Sequence, residues 1–129
     1  MSSTPDFPSS PKHAADLPTL DNERMEMLRE LCLDAGQDML RDMLGSWESE
    51  AAKHLAKAER AMDEADEETL KVAAHALKGS CGNMGIVRLA ELGRQLELGV
   101  PTREEAKLLL AEMREEFDHT KSELAKISV

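Results

Sequence analysis

Tyrosine is absent from this chain, and aromatic residues make up only 2% of it: Phe7, Trp47 and Phe117. Strands draw on aromatic and β-branched side chains, so an all-β fold is excluded. Positive charge is also short. Lys plus Arg number 16 against 26 Asp plus Glu, a formal charge of −10, and a protein that tracks nucleic-acid phosphates needs the opposite balance. Nucleic acid is therefore not an expected partner. Cysteine is limited to Cys32 and Cys81, with no CxxC pair, which reads as reduced thiols and points to the cytoplasm. No apolar run approaches the roughly 18 residues of a membrane span, and the first residues lack the basic start and apolar stretch of a secretory signal.

What remains is a helix-forming composition. Ala, Leu, Met and Glu abound, hydrophobic residues reach 41%, and 129 residues set an expectation of one domain with a single core. Four of the five prolines fall in residues 1–18, with several serines and little apolar matter. Such a stretch buries too little to offset its ordering entropy and is expected to be a disordered tail, leaving 19–129 as the folded domain.

From Leu20 onward the apolar spacing is helical. Asp21 can cap a first, shorter helix to Leu33 that buries Met25, Leu28 and Cys32, with Ala35-Gly36 as its break. A second, over 37–65, carries the stripe Leu40, Leu44, Trp47, Ala51, Leu55, Ala58 and Met62. Asp66 can cap a third, reaching Met84 and interrupted by Gly82 and Gly85. A fourth, over 86–98, buries Ile86, Leu89, Gly93 and Leu96. Thr102 with Glu105 forms a capping box for a fifth, with Ala106, Leu109, Met113, Phe117, Thr120, Leu124 and Ile127 inward. The expected class is all-α: an antiparallel four-helix bundle with a shorter N-terminal helix.

The third helix carries the unusual feature. At about 100° per residue, Leu70, Ala73, Ala74, Leu77, Cys81 and Met84 gather within roughly 60° of one direction, the core face. His75 lies roughly 140° round, on an outward side shared with Val72, Ala76, Gly79 and Gly82, with Lys78 at its margin. A solvated face would carry Glu, Lys or Gln there, and Gly79 in mid-helix costs about 1 kcal/mol against Ala. The plain account is a solvated histidine near a fraying end. The functional account is that small residues let another protein reach the imidazole. A neutral ring nitrogen could then take a phosphoryl group, with Lys78 at i+3 lending a cation and Gly79 at i+4 clearing the approach.

The run Ala74-His75-Ala76-Leu77-Lys78-Gly79-Ser80, followed by Gly85, resembles the signature of histidine-containing phosphotransfer (HPt) domains. The layout agrees: Ala35-Gly36-Gln37-Asp38 upstream, Trp47 where the family usually has Phe, and Leu96-Glu97 downstream. The resemblance spans about 20 to 127. It implies a four-helix bundle relaying phosphate between aspartates of receiver domains, from a hybrid sensor kinase to a response regulator. It makes His75 the phosphoacceptor at Nε2, Lys78 the assisting cation and Gly79 the access point; Val72, Ala76 and Gly82, on the same outward side, are the expected docking face. The module carries no cofactor of its own; Mg²⁺ belongs to the partner receiver. It is a phosphoryl carrier rather than an enzyme, with a monomer expected.

Other candidates read more simply. His54 sits at the edge of the second stripe, His119 points to solvent, and His13 lies in the tail. No HExxH or Cys/His cluster is present, so no metal site is expected. Cys81 falls on the core face, where a thiol is inert. The acidic run 63–68 reads as a solvated turn and helix start. Two other function classes compete. A bundle adaptor binding receivers without phosphate chemistry would not need both His75 and Lys78. A sensor-kinase phosphoacceptor helix would have an acidic residue and a proline where Ala76 and Ser80 stand.

Overall fold

The computed structural model describes residues 14–33 and 35–127. Among the described residues the helices bounded at both ends are, in order, α1 (Asn22–Leu33), α2 (Gln37–Asp63), α3 (Glu67–Met84), α4 (Val87–Leu98) and α5 (Arg103–Ile127). Among the described residues there is no strand, and sheet-like pairing is confined to an isolated antiparallel bridge between Leu20 and Ile86. α2 packs on α3, α3 on α4 and α4 on α5, while α5 returns to α2 and α1 lies against α2.

Each boundary has a local cause. Asp21 Oδ1 accepts from the Glu23 and Arg24 amides at 3.1 and 3.3 Å, capping α1. Asp66 does the same for α3, taking the Thr69 amide at 3.1 Å and the Thr69 hydroxyl at 2.6 Å. Thr102 Oγ1 accepts from the Glu105 amide at 3.1 Å; the Glu105 carboxylate takes the Thr102 hydroxyl rather than its amide, so the box closes through side chains. α2 stops at Asp63, short of Ala65, because Ala65 turns left-handed (φ 56°). The Asp66 amide then bonds Ala61 O at 2.9 Å and the Ala65 amide bonds Met62 O at 3.2 Å, the paired bonds of a Schellman stop. Gly82 does not interrupt α3. The helix runs through it and ends at Gly85 (φ 73°), with Gly85 and Ile86 amides returning to Gly82 and Cys81 carbonyls.

The expected inward faces are buried. Leu55, Leu77, Ile86, Leu89, Leu92 and Met113 are fully enclosed, and Trp47 meets Phe117 with ring centroids 5.7 Å apart. Leu40, Leu70, Met84 and Ile127 are half-buried at the margin of this core. Residues 1–13 of the expected tail lie outside the described residues. Residues 14–18, assigned to that tail by composition, make two contacts with the folded part while Ala15, Asp16 and Pro18 stay exposed. Ala14 is fully buried, and the Leu17 carbonyl accepts from Arg88 Nε at 2.9 Å and from Arg88 Nη2. That cation stands 71 positions away, beyond reach of a local reading.

α4 approaches α3 closely where Gly93 faces it. A Cβ built at Gly93 would stand 3.3 Å from the Ala74 carbonyl oxygen and 3.5 Å from Lys78 Cβ. The missing side chain therefore sets the spacing of the two helices that carry the site.

Candidate functional site

His75 stands on the outward side of α3 with 66% of its side chain exposed. Its Nδ1 is 2.7 Å from Oε2 of Glu97, which reaches across from the last turn of α4. The other carboxylate oxygen, Oε1, is 2.9 Å from Lys78 Nζ. Glu97 is thus a two-handed acceptor between the imidazole and the lysine. The Lys78 hydrogen bond holds the Glu97 carboxyl below the usual carboxylate range; partial burial opposes this, and the His75 bond adds to it. An ionised carboxylate has no proton to give, so the 2.7 Å contact requires a proton on Nδ1. In the neutral ring that leaves the lone pair on Nε2, which no group bonds among the described residues.

The surroundings are stripped down, as the periodicity implied. Gly79 and Gly82 are exposed, and a Cβ at either would meet nothing within 4 Å. Neither glycine is needed for packing within the chain. Val72 is 56% exposed, an apolar side chain left open one turn before His75. Ala76 is half-buried and turns toward α2, where it lines a shallow groove with Met43, Ser46, Glu50, His54 and Ser80. Val72, His75 and Gly79 thus form the crest of α3, with the Glu97 carboxylate on one flank and the small-residue groove on the other.

Lys78 is brought beside His75, but in this state it is neutralised by Glu97 rather than free. Glu97 itself has no role in the sequence reading beyond belonging to the Leu96-Glu97 pair. A signal for it exists. Gly93 marks the side of α4 that touches α3, and the residue four positions on shares that side. His54 is a boundary histidine, its Nε2 3.3 Å from Glu50 Oε1 and its side chain 25% exposed. His119 is exposed. Cys81 is fully enclosed, and burial pushes its thiol up to about 12, so it takes no part in chemistry near neutral pH. Among the described residues no group of three or more His, Cys, Asp or Glu side chains could hold a metal ion, and no helix is long and apolar enough to cross a membrane.

Comparison with known proteins points the same way. The family model of the Hpt domain matches residues 42–126. Among solved structures, the crystal structure of histidine-containing phosphotransfer protein B from Pseudomonas aeruginosa PAO1 is similar, with a TM-score of 0.74 and 25% identity. The match covers 88% of this chain and 96% of that one. A search of curated proteins found no significant match.

Proposed function

The chain belongs to the Hpt domain family, and from that premise we propose that His75 is its phosphoacceptor and exchanges phosphate with receiver domains through Nε2. Its function is histidine phosphotransfer in a phosphorelay, and it serves as a phosphocarrier. The scaffold reads as an antiparallel four-helix bundle of α2 to α5 with α1 alongside, which the cyclic packing and short turns support.

The observation that carries the assignment is the His75 ring itself: exposed, fixed through Nδ1 by Glu97, with Nε2 unengaged. In transfer from a receiver, the Nε2 lone pair attacks phosphorus, the P–O bond to the receiver aspartate breaks, and the carboxylate leaves. The forward step reverses onto a second receiver. The receivers are those of a hybrid sensor kinase and of a response regulator. Mg²⁺ on the receiver carries most of the charge of the moving group. Lys78 sits one turn along, within reach of the arriving phosphoryl oxygens once its side chain leaves Glu97. Gly79 leaves the crest low enough for the receiver's aspartate to approach, and Val72, Ala76 and Gly82 form the surface it rests on. The carrier acts as a monomer, each copy presenting one such crest, and it works in the cytoplasm.

The test is phosphorylation by a loaded receiver, followed by mapping of the label. One acid-labile, alkali-stable phosphate on His75 is expected. Label on His54 or His119, or label surviving His75→Gln, overturns the assignment.

A further inference from the structure

We propose that Lys71 is a further catalytic residue, meeting the oxygens of the phosphoryl group on Nε2 of His75 and balancing the charge that loading brings. This rests on His75 being the phosphoacceptor.

Helical spacing puts three side chains on one line. Lys71, His75 and Lys78 stand at i, i+4 and i+7 of α3, so a cation lies one turn to either side of the imidazole. The two lysines are not equivalent. Lys78 is half-buried with its Nζ 2.9 Å from Glu97 Oε1, so it meets phosphate only by giving up that bond. Lys71 is exposed and makes no hydrogen bond or ion pair among the described residues. Helical side chains lean toward the N-terminus, which carries the His75 ring back over the turn that bears Lys71. A turn rises about 5.4 Å, an interval that the flexible four-carbon stem of lysine covers. Lys71 also stands outside the Ala74–Ser80 run, so the family signature does not assign it.

The charges ask for such a group. Before loading, the ionised Glu97 and the Lys78 ammonium cancel, and the ring is neutral. Loading brings a phosphoryl group with close to two negative charges near neutral pH. The ring gains one positive charge when its lone pair bonds phosphorus. One negative charge is left over, beside a carboxylate that already repels the phosphoryl oxygens. Lys71 cancels it without breaking a bond. The other charged groups nearby are placed differently. Glu67 and Glu68, one turn before Lys71, form no ion pair with it among the described residues. From α4, Glu97 has both oxygens engaged. Arg103 lines the same cavity as Lys71 but donates to the Met62 carbonyl at 2.9 Å. From α2, Glu50 and His54 line the groove on the far flank, with Ala76 and Ser80.

The experiment loads wild type, Lys71→Gln and Lys71→Arg with phosphoramidate: Nε2 bonds phosphorus as the donor's P–N bond breaks and ammonia leaves. ³¹P NMR then follows the second ionisation of the phosphoryl group, which falls at about pH 6 in an ordinary phosphorylated side chain. A cation against the oxygens favours the dianion. Lys71→Gln is therefore expected to raise the midpoint by roughly half a pH unit at low salt, and by less at high salt. Lys71→Arg keeps the wild-type midpoint. Loading from a phosphorylated receiver domain is timed in parallel, and Lys71→Gln is expected to be slower by roughly threefold to tenfold. An unaltered midpoint in Lys71→Gln overturns the proposal even where loading slows, because a lysine that meets only the receiver leaves the free phosphoprotein untouched. Lys71→Arg behaving as Gln overturns it as well, since charge is then not the cause. Both outcomes leave His75 as the acceptor. Wild type that takes no label on His75 removes the acceptor assignment and this inference with it.

Discussion

Gly93 faces the Ala74 carbonyl so closely that an added Cβ would stand 3.3 Å from that oxygen. Ala74 immediately precedes His75, and Glu97 lies one turn beyond Gly93, so this contact sets the reach of the carboxylate to the imidazole. Gly93→Ala must therefore push α4 from α3 by a few tenths of an ångström. A gain of up to about 1 kcal/mol in helix propensity is opposed by that strain. Phosphotransfer is expected to drop more than stability, and the Nδ1 signal of His75 to shift. An unaltered signal in NMR would show that the spacing has slack.

His75→Gln is expected to abolish labelling with little change in melting temperature. An exposed side chain adds little packing, and its one bond is to a carboxylate that keeps Lys78. Thermal unfolding followed by circular dichroism, alongside the labelling assay, checks both halves.

Lys78→Ala should slow transfer by roughly tenfold, the worth of about 1 to 2 kcal/mol for a partly exposed cation beside phosphate. Removing it also leaves Glu97 with the imidazole alone. Rapid-quench rates at low salt are the measurement. Unchanged rates would reduce Lys78 to a partner of Glu97.

At Gly79 stability and function are expected to move apart. A side chain there meets nothing within 4 Å, so Gly79→Gln gains helix propensity of about 0.5 to 1 kcal/mol and should not melt lower. The same side chain occupies the approach to His75. A displacement near 1 Å can cost on the order of a hundredfold in transfer. Unfolding of this variant would mean the glycine serves the fold.

The two left-handed helix stops predict opposite outcomes. Ala65 bears the cost of a positive φ that glycine does not, so Ala65→Gly should stabilise by up to about 1 kcal/mol. Gly85→Ala should destabilise by more than that, because a Cβ would fall 2.6 Å from Arg24 Cγ in addition to the φ cost. Chemical denaturation of the pair measures the contrast.

Glu112 gives a pH signature. Burial, then Glu116 and Glu115, raise its carboxyl above the usual range against the opposing Arg88. A raised folded-state value means the protonated form is favoured on folding: the contribution is full below the unfolded value and is lost as pH rises through the folded one. Glu112→Gln should therefore melt higher than wild type at neutral pH, with the difference vanishing below the ordinary carboxylate range. A gap that persists in acid would point to packing instead.

The amino-acid sequence by itself determined the helices and singled out His75. Caps at Asp21, Asp66 and Thr102, apolar stripes of helical period, and the break at Gly36 are local events, settled within a turn or two of chain. His75 stood out for the same reason, since helical phase alone puts it outside the core among small residues. What tertiary structure decided is what faces that histidine. Glu97 lies 22 positions away on another helix, and its carboxylate reaches Nδ1 only because Gly93 lets the two helices close. The bond of Arg88 to the Leu17 carbonyl is of the same kind. Periodicity reports which side of a helix is buried. The identity of the group across the gap depends on how elements distant in sequence come together.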